Sequence, residues 1–286
     1  MLFEYSKKVD ERRNKSSQKL NQLNQKLNQL KMRASIWGQR QLNKVKGKLV
    51  EAQGSMVTFE ECKFNIDSPA ISLDAKSFFL FGRYEKPERE ALKQFLDPNL
   101  PVVEFGAAIG VIACLTNKKL RNPRRHVVVE ANPAVLPLLE ENRERNNCCF
   151  TILHRAVAYG DEATVFFQNE NYLGSSVQAT YGKPISVPTI SLQDVIREFD
   201  FEQCFLICDI EGGEGDLVHH EADILRKRVQ TLMVEVHDWI LGLEGTKNMF
   251  AKLEQIGFVL VFQDADTYVF QNKFIDDLDF EENNNS

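Results

Sequence analysis

Five apolar runs recur along the middle of the chain, and the spaces between them constrain the fold most. They are LPVVEF (100–105), HVVVE (126–130), FTILHRAVA (150–158), CFLICDI (204–210) and TLMVEVH (231–237). Helix-length stretches follow at 109–120, 133–146, 191–199, 214–226 and 246–256. Runs that are apolar throughout predict strands buried on both faces. Strands alternating with helices predict a mostly parallel sheet covered on both sides. ATVFFQ (163–168) reads as an inserted antiparallel strand. FVLVF (258–262) and TYVFQ (267–271) read as a closing hairpin that adds an antiparallel edge strand. Upstream, MVTF, KFNI and SFFLF within 56–83 predict a small antiparallel cap, and a helix over 87–96 opens near Pro87. The expected class is therefore α/β with a Rossmann-like sheet.

Charge divides the chain into parts. Residues 1–50 hold 13 Lys/Arg against 3 Asp/Glu, while the rest holds 22 against 38. An acidic body is a poor match for phosphate-rich partners, so nucleic acid is not expected. The basic head repeats LNQ and spaces Leu20, Leu23, Leu27, Leu30, Ala34 and Trp37 by threes and fours. That pattern predicts basic amphipathic, coiled-coil-like helices over roughly 10–50. Such helices would seek an anionic membrane surface, a protein partner or a second copy of the chain. The expected divisions are a helical region at 1–55, a main domain at 56–274 and an acidic disordered tail at 275–286. Within the main domain a cap spans 56–83 and the core 84–274.

Six cysteines without a CxxC pair read as free thiols in a reducing compartment. The longest uncharged run, Phe105 to Asn117, has 13 residues, too few to cross a bilayer. MLFEYSKKVDERR at the start lacks the apolar stretch of a secretory signal. A cytoplasmic location is expected, with peripheral membrane contact as an option for the head. The five histidines do not fall at zinc-ligand spacings.

Chemistry is concentrated where strands end, which is where doubly wound sheets bind ligands. In VVEFGAAIG (102–110), Gly106, Ala107, Ala108 and Gly110 let a ligand approach the backbone. The spacing is not the G-x-G-x-x-G of a pyrophosphate cradle. Glu104 just before it suits a ligand with a cationic group. Glu130, ending the second run, is placed to accept the ribose hydroxyls of a nucleoside. CDIEGGEGD (208–216) crowds Asp209, Glu211 and Glu214 together. Asp209 and Glu211 alternate and should share one strand face. Glu214 reads as a favourable charge in the first turn of a helix. VEVHDW (234–239) adds Glu235 and His237 on another shared face, followed by Trp239, which suits either a core position or an aromatic wall for a sugar ring. Carboxylates gathered at one edge call for a cation, a metal or a transferred proton. His219 and His220 fall inside a helix and read as structural.

In order and spacing, VVEFGAAIG, VVVEANP, AVAYGDEATVFF, LGSS, VPTISLQDVI, ICDIEGGEGDLV and LMVEVH resemble the FkbM-type methyltransferases over roughly 83–262. The resemblance implies an S-adenosyl-L-methionine-dependent enzyme that methylates a hydroxyl of a sugar, glycan, glycolipid or polyketide-type acceptor. It implies a cofactor set of Glu104, Gly106, Ala107, Ala108, Gly110, Glu130, Asn132 and Asp209. It places Tyr84 and Glu85 near the pocket and residues 209–212 toward the acceptor. Two positions depart from the family pattern: Ala108 replaces an asparagine, and Cys208 replaces a lysine.

An alcohol attacks a sulfonium methyl in line only after losing its proton, so a base or a metal must help. Asp209, Glu211 and His237 are the candidate bases, with Glu235 orienting the histidine. Alternatively, the carboxylates hold a divalent ion. Two other readings are open. One is a non-catalytic assembly module working through 1–50. The other is a nicotinamide-dependent oxidoreductase, against which the missing third glycine and the closing hairpin argue.

Overall fold

The computed structural model describes residues 35, 37–69, 71–160, 163–168 and 183–275. The leucine repeat at 20–34, the LGSS segment and the acidic tail lie outside them. Of the head, a helix at 37–52 (α1) is described; Trp37, Leu42, Val45 and Leu49 stay exposed on it.

Seven strands form the main sheet, in the order β11-β12-β10-β9-β3-β4-β5. β3 (Val102–Phe105) runs parallel to β4 (His126–Glu130) and to β9 (Cys204–Cys208). β5 (Thr151–His154) flanks β4, and β10 (Val229–Glu235) flanks β9, both parallel. Every residue of β3, β4 and β9 is buried, as continuous apolar runs require. The hairpin β11 (Phe258–Asp264) and β12 (Thr267–Asn272) closes the sheet as the sequence predicts. β12, the antiparallel strand, sits inside against β10, and β11 takes the edge. β12 contributes Thr267, Val269 and Phe270 to the interior, whereas Leu260 and Val261 on β11 stay exposed.

Helices cover both faces. Val103, Phe105, Val127, Val129, Leu206 and Cys208 pack on one side, with α6 (Leu192–Phe199), α7 (Glu214–His220), α8 (Ala222–Arg228) and α9 (Asp238–Gln255). Val102, Phe205, Ile207 and Met233 pack on the other, with α3 (Lys86–Phe95) and α4 (Val111–Lys119). The alternation follows from the period of two along a strand. α6 begins at a capping box in which Ser191 and Asp194 each satisfy the other's backbone N–H.

Two early expectations change. SFFLF is not a strand: Leu73–Leu80 is helix α2, started by the Ser72 hydroxyl accepting the Ala75 N–H. Local capping and burial of Phe79 outweigh the β propensity of its aromatic residues. ATVFFQ (β7, Ala163–Gln168) pairs with β8 (Lys183–Ile190), which contains the SVPTI run. With β6 (Ala156–Val157) they form a separate three-stranded sheet, so FTILHRAVA splits at Arg155 into β5 and β6.

The cap is a two-stranded hairpin of β1 (Met56–Phe59) and β2 (Cys62–Asn65). Asn142, on α5 (Leu136–Arg145), ties it to the domain. Its Oδ1 accepts the Asn65 N–H at 2.7 Å, and its Nδ2 donates to the carbonyls of Asn65 and Ile109. Because Asn142 is wholly buried, Asn142→Ala leaves these partners without water. The variant is expected to lose about 2 kcal/mol in urea unfolding. An unchanged midpoint would contradict the assignment.

Candidate active site

The carboxyl ends of β3, β4 and β9 open into one cleft. Tyr84, Glu85, Gly106, Ala108, Glu130 and Asn132 line it on one side; Arg155, Val157 and Phe166 on another; Asp209 and Glu211 at the rim. It lies at the strand-end position where open α/β sheets bind ligands.

The loop after β3 cannot take other shapes. Gly106 has φ +80°, and a Cβ there would lie 1.7 Å from the Asp209 carbonyl oxygen. Only glycine lets the two strand ends approach this closely. Ala108 follows at φ +46°. Glu130 holds this bend. Its Oε2 accepts the N–H groups of Ala107 and Ala108 at 3.0 and 2.8 Å, and its Oε1 accepts that of Asn132 at 2.7 Å. Burial pushes the Glu130 carboxyl up, and the backbone hydrogen bonds oppose that shift. The sequence suggested a carboxylate aimed at a ribose. In the structure the group lines the cleft and fixes the loop.

Glu104 does not line the cleft. It is 1% exposed on the sheet face beneath α3 and α4, and its Oε2 lies 3.2 Å from His126 Nε2. One residue of register decides this, since alternate positions on β3 face opposite layers. Gly110 likewise serves packing, its α-carbon set against Leu139. Ala107 is buried, and its N–H serves Glu130.

The acidic rim converges on His237. Its side chain is 3% exposed, and its Nδ1 lies 2.8 Å from Glu214 Oε1. Its Nε2 faces Glu211 Oε2 at 3.3 Å, Asp209 Oδ1 at 3.6 Å and Glu235 Oε1 at 4.0 Å. The orienting carboxylate is thus Glu214, not Glu235. Glu214 is fully buried and also accepts the Gly212 N–H at 3.0 Å. Sequence reasoning missed it because a first-turn glutamate already had a sufficient explanation. Asp209 and Glu211 meet through a turn beyond β9, with Glu211 at φ +53°, and not by alternation along the strand. Trp239 is 63% exposed and stands edge-on to the His237 ring, outside the cleft lining.

Buried oxygens without a hydrogen-bond partner among the described residues include Glu85 Oε2 and Asp209 Oδ1, both on residues that line the cleft. Burial and neighbouring carboxylates push both groups well up. Burial also lifts Glu211 and Glu235 to about 7. For His237, burial alone would lower the imidazolium. The hydrogen bond and charge of Glu214, with Glu211 and Glu235, outweigh it and raise the group to about 9.

These shifts act on stability in one direction. Unfolded, Glu211 and Glu235 release protons near 4.5; folded, near 7. The folded state therefore loses relative stability as pH climbs through that window. The His237 contribution is complete below 6.5 and lost as pH rises through about 9. The Tm of the ligand-free protein is expected to fall steadily from pH 5 to pH 9 in scanning calorimetry. A flat or rising Tm would contradict the arrangement.

The cleft fits S-adenosylmethionine on its donor set. Partnerless carboxylate oxygens at one end suit an ammonium and a sulfonium, and the apolar walls at Val129, Val157 and Phe166 suit an adenine. Among solved structures the chain is similar to a precorrin-6y C5,15-methyltransferase from Geobacter metallireducens. That match has 12% identity and TM-score 0.38, covering 65% of this chain and 85% of that one. It is also similar to M. jannaschii TYW2 in complex with AdoMet, at 13% and 0.38, covering 75% and 82%. A third is an O-methyltransferase from Bacillus cereus in complex with SAH, at 12% and 0.38, covering 64% and 76%. Likenesses this distant carry no argument about activity. None of the curated proteins matches the chain in sequence. The family model "Methyltransferase FkbM domain" matches residues 104–270, from β3 into β12 and through every strand end that builds the cleft. The chain therefore belongs to the FkbM methyltransferase family and is an S-adenosylmethionine-dependent methyltransferase.

Proposed function

We propose that the enzyme methylates a hydroxyl group on a sugar, glycan, glycolipid or polyketide-type acceptor. The observation that carries this reading is the rim: Asp209, Glu211, Glu214 and Glu235 are gathered around His237, and Asp209 and Glu211 line the cleft. An amine attacks through a free lone pair, whereas an alcohol needs its proton taken. A surplus of acceptor groups beside the transfer point suits the alcohol. S-adenosylmethionine, when bound, supplies a methyl group on a good leaving sulfur. The protein's share is placement and proton removal. Glu130 keeps the 106–110 bend in shape, Glu85 and Asp209 hold positive charge, and the rim receives the hydroxyl proton.

The test is transfer of labelled methyl groups to matched acceptors. Methyl glycosides and polyketide alcohols are expected to become labelled, and their amino-deoxy analogues are not. Labelling of the amines alone would reject the reading. No helix among the described residues is long and apolar enough to cross a membrane.

A further inference from the structure

We propose that Asp209, Glu211 and His237 form a divalent-cation site, with Glu214 as the residue that positions its histidine. The catalytic role of the site rests on the hydroxyl-methylating reading above; its ability to hold a cation does not.

The first observation is spacing. One ligand atom from each of the three residues lies within 4.8 Å of the others. Nε2 of His237 stands 3.3 Å from Glu211 Oε2 and 3.6 Å from Asp209 Oδ1. With metal–ligand lengths of about 2.1 Å, neighbouring ligands sit about 3.0 Å apart around an octahedral ion and about 3.4 Å around a tetrahedral one. The side chains already stand near the separations an ion between them would impose.

The second observation is independent of the carboxylates' proximity. The His237 side chain is only 3% exposed, and its Nε2 makes no hydrogen bond among the described residues. Its other nitrogen is committed to Glu214, which is itself wholly buried and fixed by the Gly212 N–H. A carboxylate behind an imidazole, with the far nitrogen turned toward further carboxylates, is how proteins orient a metal-bound histidine. Besides Glu211, Nε2 faces Asp209 Oδ1 at 3.6 Å, an oxygen that is buried and has no hydrogen-bond partner among the described residues. A proton on Nε2 could bond one of the three carboxylate oxygens it faces. A cation bonds several at once and offsets the crowded negative charge.

Two carboxylates and one imidazole suit a hard-to-borderline ion of the Mn²⁺ or Mg²⁺ kind. Three protein ligands leave coordination positions open toward the mouth of the cleft. An acceptor oxygen bound there is both placed and acidified. Its O–H bond breaks and the proton passes to Glu235. The oxygen pair forms the new C–O bond as the S–CH₃ bond breaks, leaving its electron pair on sulfur. Nothing is oxidised or reduced.

The experiment uses the full chain, stripped with EDTA and free of cofactor, titrated with MnCl₂ by calorimetry and pulsed EPR. One Mn²⁺ per chain is expected, with nitrogen hyperfine coupling from the imidazole. His237→Ala is expected to abolish that coupling, and Glu211→Gln to weaken binding at least ~30-fold. Glu214→Gln is expected to cost ~10–100-fold and alter the nitrogen coupling while the melting curve stays cooperative. Circular dichroism melts certify the fold of each variant, and Glu211→Gln, an isosteric change at a partly exposed position, serves if His237→Ala does not fold. Absence of Mn²⁺ and Mg²⁺ binding at millimolar concentration, or unchanged binding in folded Glu211→Gln, would overturn the proposal. Either result leaves S-adenosylhomocysteine binding and acceptor labelling to judge the function separately.

Discussion

Glu130→Ala is expected to lower affinity for S-adenosylhomocysteine by at least ~100-fold and stability by about 3 kcal/mol. The carboxylate accepts three backbone N–H groups, from Ala107, Ala108 and Asn132. Those donors are largely shielded, so removing their acceptor costs desolvation with no return from water. The bend at 106–110 then loses what fixes it, at φ values that non-glycine residues adopt reluctantly. Glu130→Gln should retain part of the effect, since one amide oxygen replaces two carboxylate oxygens. Calorimetry with the spent cofactor, together with urea unfolding, checks both numbers. Full affinity in Glu130→Ala would remove the cleft as the cofactor site.

His237→Ala is expected to slow methyl transfer by ~10²–10⁴. The same variant should leave S-adenosylhomocysteine affinity within roughly threefold, because His237 is not among the residues lining the cleft. In the proposed reaction, transfer of a proton and placement of the acceptor both run through the carboxylates gathered around His237. The side chain packs edge-on against Trp239, so truncation leaves a small gap. A melting curve separates lost packing from lost chemistry. Wild-type turnover in the folded variant would remove the imidazole from the reaction.

Much of this was readable along the chain. Continuous apolar runs at 102–105, 126–130 and 204–208 announced buried parallel strands, because a strand covered on both faces has no polar side to show. The glycine at 106 and the acids at 130, 209 and 211 stood at strand ends, where a doubly wound sheet gathers its chemistry. The small residues of the 106–110 bend were visible for the same reason.

Other features were not local. Glu104 and Glu130 both lie near the ends of apolar runs, yet one is buried against His126 and the other grips a loop; register and the helices above decide between them. Glu214 acts on a histidine 23 positions away, and sequence offers no spacing for such a pair. SFFLF carried strand-forming side chains, but a serine cap and a docking surface made it a helix. Period and composition are local properties, so the strands and helices of the sheet layers, and the strand ends where polar groups gather, could be read residue by residue. Which carboxylate faces which partner could not, because that depends on how separate strand ends are brought within a few ångströms of one another.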